Sequence, residues 1–493
     1  MSDRRGVWLL SNRYVHESCW KFHPLMDPFQ RSKVFSRSNL FRPLVWLSLP
    51  VLAEHALHIL VGMTDTYIAN HLIETSGLSA EALDEAYRLN SAAGAAVGSV
   101  TYMLWFVGLI VSSIGTGSTA IIARAVGARH RRLANKVCGQ SILTAGVSGL
   151  GLGLALWFGA PVITSWSNLQ DDAGAFFTQY LQLLAFGCPL AVLMFTANAS
   201  LRGAGDTRTP AVAMMTVDGV NLILSMSLAW GWFGLPVLGF KGIAIGTSVA
   251  YIVGGMLQLI VLLMGRGGLK LFWHRLSPDV RTIKRILKIG LPSGGEGLLM
   301  WLGNFAVLKV VNGLGNTPAT AHNLAIRIES LSYMSGFAIA VAVSTMVGQS
   351  LGAKDPIRAR KSAVCGYLLG GGIMFLFGVI FITSGELLAG WFTRDPMVIS
   401  ETATCLFYTG FIQAGFAASI IFGSALRGAG DTQWVMWLNL TSILLIRCGG
   451  VWLLGLMGTN LSQIWMVLCA ELVVRGGLMV GRFAKGQWTH VRV

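Results

Sequence analysis

The stretch Leu201-Arg-Gly-Ala-Gly-Asp-Thr207 occurs twice in this sequence, because residues 426–432 repeat it letter for letter 225 residues later. The same offset relates Val126-Gly-Ala128 to Leu351-Gly-Ala353. A seven-residue identity with further matches at one offset indicates an internal repeat rather than a local coincidence. The sequence therefore predicts two structurally similar halves.

A second pair of matches extends the repeat towards the start of each half. Leu49-Pro50 and Leu291-Pro292 lie 242 residues apart. The longer offset is explained by an acidic insertion near 74–90, which we place in the first outer loop. The repeat then covers nearly the whole chain.

The composition favours a bilayer as the solvent of this chain. Of 493 residues, 54% are hydrophobic and only 12% are charged, which is more apolar surface than one soluble core can bury. A spanning helix needs about 20 apolar residues. Twelve such segments are predicted near residues 43–70, 93–123, 138–160, 175–202, 210–233, 241–264, 283–312, 320–349, 362–384, 398–426, 433–457 and 461–481. Six helices per repeat give both halves the same polarity, so we predict an all-α polytopic membrane protein with two parallel six-helix lobes.

The positions of the basic residues predict the orientation. The net charge is +15, yet the predicted outer loops hold only Arg88, Lys241 and Arg394. Basic residues gather on the cytoplasmic side of membrane proteins, so both termini are predicted to be cytoplasmic, in the cell (inner) membrane, with lipid rather than nucleic acid as the partner. The predicted domains are a basic tail 1–42, a first lobe 43–265, a cytoplasmic loop 266–282, a second lobe 283–483 and a tail 484–493.

Ionisable residues at membrane depth are the strongest functional signal. Insertion of each costs roughly 2.5–3.5 kcal/mol, so each requires a partner or a function. The first half places Glu54, Asp65 and Asp218 at depth with no lysine or arginine at depth to neutralise them. In the second half three acids are matched in number by three bases: Glu296, Glu329 and Glu471 by Lys309, Arg327 and Arg447. We therefore place the coupling-ion site in the first lobe.

Three of these candidates share one face of the first helix. At 100° per residue, Glu54, His58 and Asp65 form a single stripe. A membrane histidine is more often a packing residue, and only its place on this stripe assigns His58 to the site. Pro50 lies four residues before Glu54, and Pro292 lies four residues before Glu296, so each half repeats a proline that favours a bend and an acid one turn later.

The repeated seven-residue stretch itself predicts a turn. Gly203 and Gly205 end the fourth helix, Asp206 caps the fifth, and Arg202 and Arg427 are predicted to anchor the inner interface. A phosphate-binding loop is excluded, because neither GxGxxG nor a following Lys-Ser/Thr is present. The seven cysteines show no CxxC spacing and no HExxH motif occurs, so we expect no cofactor, no structural metal and no enzyme.

These motifs together resemble the multidrug and toxic compound extrusion (MATE) family over the chain after residue 43. The resemblance rests on these segments: Leu49-Pro50, Asp65-Thr66, Gly290-Leu-Pro292 with Glu296, both LRGAGDT stretches, Ala321-His322, residues 326–330 and Val347-Gly-Gln-Ser-Leu-Gly-Ala353. It implies a V-shaped, two-lobed and monomeric antiporter that exports small organic, often cationic, compounds in exchange for H⁺ or Na⁺.

The resemblance also implies roles for individual residues. Asp65 matches the family's first-helix acid, Glu296 its seventh-helix acid and Asn221 its fifth-helix asparagine. We assign Asp65, Glu54, Asp218, Asn221 and His58 to cation coupling, with Na⁺ as a possible ligand of Asp65, and Glu296, Gln349 and Gln413 to substrate binding.

The sequence also departs from the family pattern at two positions. Some proton-coupled members carry an acid where this chain has Ser225, and sodium-coupled members carry one where it has Phe416. The main alternative function is a flippase for a lipid-linked precursor. A channel is less favoured, because no selectivity element is present.

Overall fold

The computed structural model describes residues 40–73, 79–167, 169, 171–265, 268–272 and 276–491. The predicted tail up to residue 39 and parts of the predicted loop 266–282 lie outside these ranges. The described chain forms twelve long helices with no strand between them. They are α1 Phe41–Asn70, α2 Ala80–Gly127, α3 Arg131–Trp166, α4 Asp171–Ala204, α5 Arg208–Trp230, α6 Phe240–Met264, α7 Val280–Asn312, α8 Asn316–Gly352, α9 Pro356–Gly390, α10 Pro396–Gly428, α11 Thr432–Met457 and α12 Leu461–Ala484.

The predicted all-α membrane fold is confirmed, with two differences in detail. Residues 80–90, predicted to belong to an outer loop, instead form the first turns of α2, which is 48 residues long. Eleven helices of the described chain are long and apolar enough to span a membrane; α7 is the exception. Glu296, Asn304 and several glycines lower its apolarity, but its 33 residues are sufficient to span the bilayer.

Helix packing follows the repeat. The second to sixth helices of each half make the same contacts: α3 packs on α4 as α9 packs on α10, and α4 packs on α6 as α10 packs on α12. The first helix of each half crosses to the other half, since α1 packs on α8 and α7 packs on α2. The two helices that carry the repeated proline and glutamate therefore lie at the boundary between the halves.

The repeated seven-residue stretch forms the predicted turn between α4 and α5. α4 ends at Ala204, and Gly205 has φ +92°, a left-handed conformation that glycine adopts without a Cβ clash. Asp206 Oδ1 then accepts hydrogen bonds from the backbone N–H groups of Arg208 and Thr209, both at 3.1 Å. The prediction is confirmed for Gly205, which ends one helix, and for Asp206, which accepts from the first N–H groups of the next, but it is wrong for Gly203, which lies inside α4.

The two halves touch closely where α2 and α8 end. A Cβ atom on Gly127 would overlap the backbone of Gln349, and a Cβ atom on Gly352 would overlap the backbone of Arg124. These two contacts are related by the repeat offset, because 127 corresponds to 352 and 124 to 349. We call this contact the glycine seam. It lies at the end of the bundle that the sequence predicts to be cytoplasmic.

The hydrogen bonds that join the halves lie at the same end as the glycine seam. Thr345 Oγ1 donates to the carbonyl oxygen of Arg202 at 2.9 Å, and Gln349 Nε2 donates to that of Gly203 at 3.2 Å. Arg124 donates to the carbonyl oxygens of Ala429 and Val491, both at 2.7 Å. The bundle is therefore closed at its predicted cytoplasmic end.

The end of the chain covers this closed face. Trp488 is fully buried, its ring stacks on Phe483 with the centroids 4.8 Å apart, and its Nε1 donates to the Phe483 carbonyl oxygen at 2.8 Å. Trp488 shares an apolar cluster with Leu44 of α1. Both ends of the described chain thus lie on one side of the bundle, as an even number of spans requires.

Candidate functional site

The glutamate that follows the first-helix proline is neutralised by an arginine from another helix. Glu54 is buried on α1, and Arg202 Nη2 donates to its two carboxylate oxygens at 2.5 and 2.6 Å. The prediction that the acids of the first half have no basic partner at depth is wrong for Glu54. Arg202 comes from the seven-residue repeat, and its predicted anchoring role at the inner interface stays a prediction, although its side chain is engaged by Glu54.

The second half repeats this ion pair. Arg427 Nη2 contacts Glu296 Oε1, and Arg427 Nε donates to Glu296 Oε2 at 3.2 Å. Asn439 Nδ2 also donates to Glu296 Oε1. Arg427 occupies the position of Arg202 in its repeat, and Glu296 follows Pro292 as Glu54 follows Pro50. The two lobes therefore carry equivalent buried ion pairs at the helices that cross between them.

A second acidic group, unique to the first half, lies further along α1. His58 Nδ1 is 3.8 Å from Asp218 Oδ1, and Asp65 lies within electrostatic range of both. The His58 ring is 62% exposed, whereas the Asp218 side chain is 6% exposed. The structure thus brings together three of the five residues assigned to cation coupling, with the histidine at the accessible edge of the group.

Asn221, the fourth of these residues, is fixed by a short hydrogen-bonded chain. Its Nδ2 donates to Thr247 Oγ1 at 2.9 Å, and the Tyr180 hydroxyl lies 3.0 Å from the same oxygen. The Asn221 side chain binds Thr247 through its Nδ2, so its Oδ1 takes no part in this chain of hydrogen bonds. Sequence reasoning did not find Tyr180 or Thr247, since neither is charged.

Three oxygens of this group have no hydrogen-bond partner among the described residues, although each is buried. They are Asp65 Oδ1, Asp218 Oδ2 and Asn221 Oδ1. A buried acceptor without a donor costs about 1–3 kcal/mol, so such a set favours occupation by a proton or a cation. No group of three His, Cys, Asp or Glu side chains suited to a metal occurs in the described part of the chain. A Na⁺ ion here would have to use amide and hydroxyl oxygens as well.

Another acid of the second half, Glu471, is held in a separate network. Glu471 is fully buried, and Arg447 Nη2 and Arg475 Nη2 donate to its Oε2 at 2.7 and 2.6 Å. The predicted internal pairing of charges in this half is confirmed for Glu471 with Arg447. The structure adds Arg475, one helical turn after Glu471, which the sequence reasoning overlooked.

The two glutamines assigned to substrate binding lie in different surroundings. Gln413 is fully buried on α10, where its Oε1 accepts from Ser332 Oγ at 2.7 Å while its Nε2 has no partner among the described residues. Gln349 lies in the glycine seam. Its side chain is partly buried and also lines the cavity at this end of the bundle. Both substrate assignments stay predictions.

Comparison with known proteins places these features in context. A family model described as MatE matches residues 86–227 and 292–453. The chain is 28% identical over 459 residues to a Thermotoga maritima protein named "Probable multidrug resistance protein NorM", with 91% of this chain and 93% of the relative covered. It is 26% identical to the Bacillus subtilis "Uncharacterized transporter YisQ", covering 93% and 98%.

Solved structures share the fold. A Pyrococcus furiosus protein described as a MOP superfamily transporter superimposes with a TM-score of 0.82 at 18% identity, covering 94% of this chain and 99% of that chain. The Vibrio cholerae MATE transporter VcmN in the bent form gives a TM-score of 0.80 at 18% identity, covering 93% and 98%. The two matched stretches of the family model end near the equivalent points of the two halves.

Proposed function

Because the chain belongs to the MatE family of membrane transporters, we propose that it is a secondary active antiporter that exports small organic, often cationic, compounds in exchange for an ion. The Thermotoga maritima relative is named a probable multidrug resistance protein, which supports this substrate class. The coupling ion is H⁺ or Na⁺, and the protein acts as a monomer in the cell membrane with no cofactor.

One observation carries the proposal: Asp65 Oδ1, Asp218 Oδ2 and Asn221 Oδ1 are buried and have no hydrogen-bond partner among the described residues. A site that lacks donors is completed by a proton or a cation, and the free energy of that completion can drive a conformational change. The neighbouring His58 favours protons, because imidazole exchanges protons near neutral pH. Na⁺ is the alternative ion at Asp65.

We place the exported compound between the lobes, near Glu296. The ion enters the first lobe from outside, neutralises Asp65 and favours one arrangement of α1. Because α1 packs on α8 of the other lobe, a change in α1 alters the contact between the lobes. Two arrangements with different affinities for the ion are sufficient to couple ion entry to substrate release.

The two buried ion pairs fit this scheme as repeat-related anchors. Glu54 and Glu296 lie one turn beyond the prolines of the crossing helices, and each is held by an arginine of its own lobe. A bend at either proline moves its glutamate relative to that arginine. Glu54 then takes part in coupling through Arg202, and Glu296 contributes a carboxylate to a cationic substrate when the pair opens.

Efflux from proteoliposomes tests the proposal. A fluorescent organic cation is loaded, an H⁺ or Na⁺ gradient is imposed, and wild type is compared with Asp65→Asn. The matched control is Asp172→Asn, which removes a carboxylate from a half-exposed pair with Arg88 at 3.2 Å, away from the cluster. We expect proton-driven efflux in wild type and control, and its loss in Asp65→Asn.

Other outcomes separate the alternatives. Efflux driven only by a Na⁺ gradient would show that the coupling ion at this site is Na⁺ and not H⁺. Efflux insensitive to Asp65→Asn would move the coupling site to the second lobe around Glu296. No cation efflux under either gradient would favour a flippase for a lipid-linked precursor.

A further inference from the structure

A cavity of about 430 Å³ lies at the glycine seam, on the predicted cytoplasmic face. Two repeat-related segments line it: residues 126–130, at the end of α2 and in the turn after it, and residues 352–354, at the end of α8 and in the turn after it. An adjoining cavity of about 240 Å³ shares Ala128, His130 and Gly352 with it. Both halves of the protein therefore contribute walls to one recess, and the recess exists only while the seam is closed.

The recess is lined by positive charge. Arg129, His130, Lys354 and Arg358 line the larger cavity, and Arg124 and Arg285 line the smaller one. Among the described residues, no aspartate or glutamate lines either cavity. Asp355 follows Lys354 and caps α9, where its Oδ1 accepts from the Arg358 backbone N–H at 2.9 Å, and its carboxylate lies within electrostatic range of the Arg358 side chain. A concave surface lined by positive charges raises the local concentration of anions.

Among the described residues, no ion pair neutralises the charge of Arg124. Its Nη atoms donate to two backbone carbonyls, which carry no net charge, and its buried Nε has no hydrogen-bond partner among the described residues. Arg285 lies within electrostatic range of Arg124 and repels it. Two neighbouring guanidinium groups without a carboxylate between them are stabilised by an anion from solution.

The backbone presents two of the cations symmetrically. Arg129 and Lys354 correspond in the repeat, and both adopt the left-handed conformation, with φ of 60° and 59°. The two turns therefore hold one cation from each half at equivalent positions beside the seam. His130 is the N-cap residue of α3 and makes no side-chain capping hydrogen bond, so the positive end of the α3 dipole adds to the field.

We propose that this recess binds a soluble, multivalent phosphate-bearing anion, such as a nucleotide or a diphosphate, that bridges Arg129 and Lys354. Phosphate oxygens accept the forked hydrogen bonds of guanidinium groups, and several negative charges are needed to engage cations from both halves. The volume suits a small polyanion, since ligand sites generally measure about 300–1,000 Å³.

Such an anion stabilises the closed seam. It contacts both halves only while they are together, so its binding free energy favours that arrangement over the one in which they part. At a free concentration of about 100 times its Kd, the ratio of closed to open protein rises about 100-fold. If the protein is the proposed antiporter, the anion slows the step that opens the cytoplasmic face. Binding itself does not depend on the proposed function.

The direct test measures binding of inorganic pyrophosphate to the purified full-length chain. The melting temperature is followed as pyrophosphate is added, with chloride at matched ionic strength as the reference. The variant is Arg129→Asn with Lys354→Asn, because asparagine tolerates positive φ and preserves both turns. The matched control is Arg281→Gln with Lys361→Gln, which removes two exposed charges outside the recess.

We expect saturable stabilisation in wild type and control, and at least a tenfold weaker affinity in the double asparagine variant. Stabilisation that chloride reproduces, or that is equal in both double variants, would overturn the proposal. If the double asparagine variant does not fold, Arg285→Gln replaces it, because this exposed charge lines the smaller cavity. An unchanged affinity in Arg285→Gln would equally count against the site.

A second arm identifies the source of the phosphate. Pyrophosphate affinity is measured in nanodiscs of phosphatidylcholine alone and of phosphatidylcholine with phosphatidylglycerol. We expect equal affinities, because a lipid headgroup does not compete with pyrophosphate if the recess binds a soluble anion. If phosphatidylglycerol lowers the pyrophosphate affinity of wild type but not of the asparagine variant, the recess binds a lipid headgroup and not a soluble anion. Efflux activity is not needed for either arm, so failure here is distinguishable from failure of the proposed transport.

Discussion

Glu54 and Arg202 lie 148 residues apart in the chain and form a buried, two-oxygen ion pair that Glu296 and Arg427 reproduce in the other half. Each pair joins the helix that crosses between the halves to the end of the fourth helix of its own half. The duplicated acid and the duplicated arginine, read separately in the sequence, are the two partners of one interaction.

Breaking the first pair is predicted to be costly. Arg202→Met leaves the buried Glu54 carboxylate without a partner, and removal of one member of a buried pair costs about 3–5 kcal/mol. Adding Glu54→Gln to Arg202→Met is expected to restore most of that loss, because no charge is then left uncompensated. Thermal unfolding of the single and double variants measures the coupling. Simple additivity of the two losses would show that the residues do not interact.

Asp218 is predicted to supply the acid that some proton-coupled members of the family carry at the position of Ser225. Asp218 is buried beside His58, whereas the Ser225 hydroxyl makes only a long hydrogen bond of 3.5 Å to the Ile243 carbonyl oxygen. Asp218→Asn is therefore expected to reduce ion-driven efflux as strongly as Asp65→Asn, and Ser225→Ala to leave it within about twofold. The reverse ranking of the two variants would move the acid function away from Asp218.

The glycine seam is predicted to limit opening of the closed face. Gly127→Ala places a methyl group against the backbone of Gln349, so the halves must separate slightly. We expect faster labelling of an introduced Ser350→Cys thiol, at a position 5% exposed in the closed seam, in a background without the native cysteines. Gly151→Ala is the control, because nothing lies near that glycine. Equal labelling rates in both variants would contradict the prediction.

The C-terminal segment that contains Trp488 and Val491 is predicted to hold the same face closed. Trp488→Ala removes a fully buried side chain, which generally costs about 3–5 kcal/mol locally, and releases the Val491 carbonyl oxygen from Arg124. Labelling of the same introduced thiol is expected to accelerate. Trp391→Ala, at a position 71% exposed, provides the control. A rate unchanged by Trp488→Ala would show that the C-terminal segment does not hold the face closed.

Asp279 is predicted to stabilise the loop before α7 independently of pH near neutrality. Hydrogen bonds from Lys136 and Thr282 lower the pKa of Asp279 to about 2. Its contribution is therefore complete above the unfolded pKa of about 3.9 and is lost only as the pH falls towards 2. The difference in melting temperature between wild type and Asp279→Asn should be the same at pH 6 and pH 8. A difference that changes between those values would assign the effect to another group.

Much of the fold was predictable because its signals are local. Apolar runs about one bilayer long define spanning helices, and the repeat fixed the equivalence of the halves before any contact was known. The turn of residues 201–207 was also predictable, since glycine and aspartate act on their own neighbours. The helical extension at residues 80–90 was assigned to a loop because of its charges, although its alanine, glutamate and leucine residues favour a helix that begins after Ser79.

The sequence by itself determined the number, order and common polarity of the helices, and it picked out Asp65, Asp218, His58 and Asn221 as candidates. Only the tertiary structure decided which charges neutralise one another. Arg202 turns back to Glu54, and Asp65 and Asp218 keep unpartnered oxygens. The physical reason is that hydrogen bonds and buried ion pairs depend on separations of a few ångströms between helices, which the periodicity of a single helix does not specify.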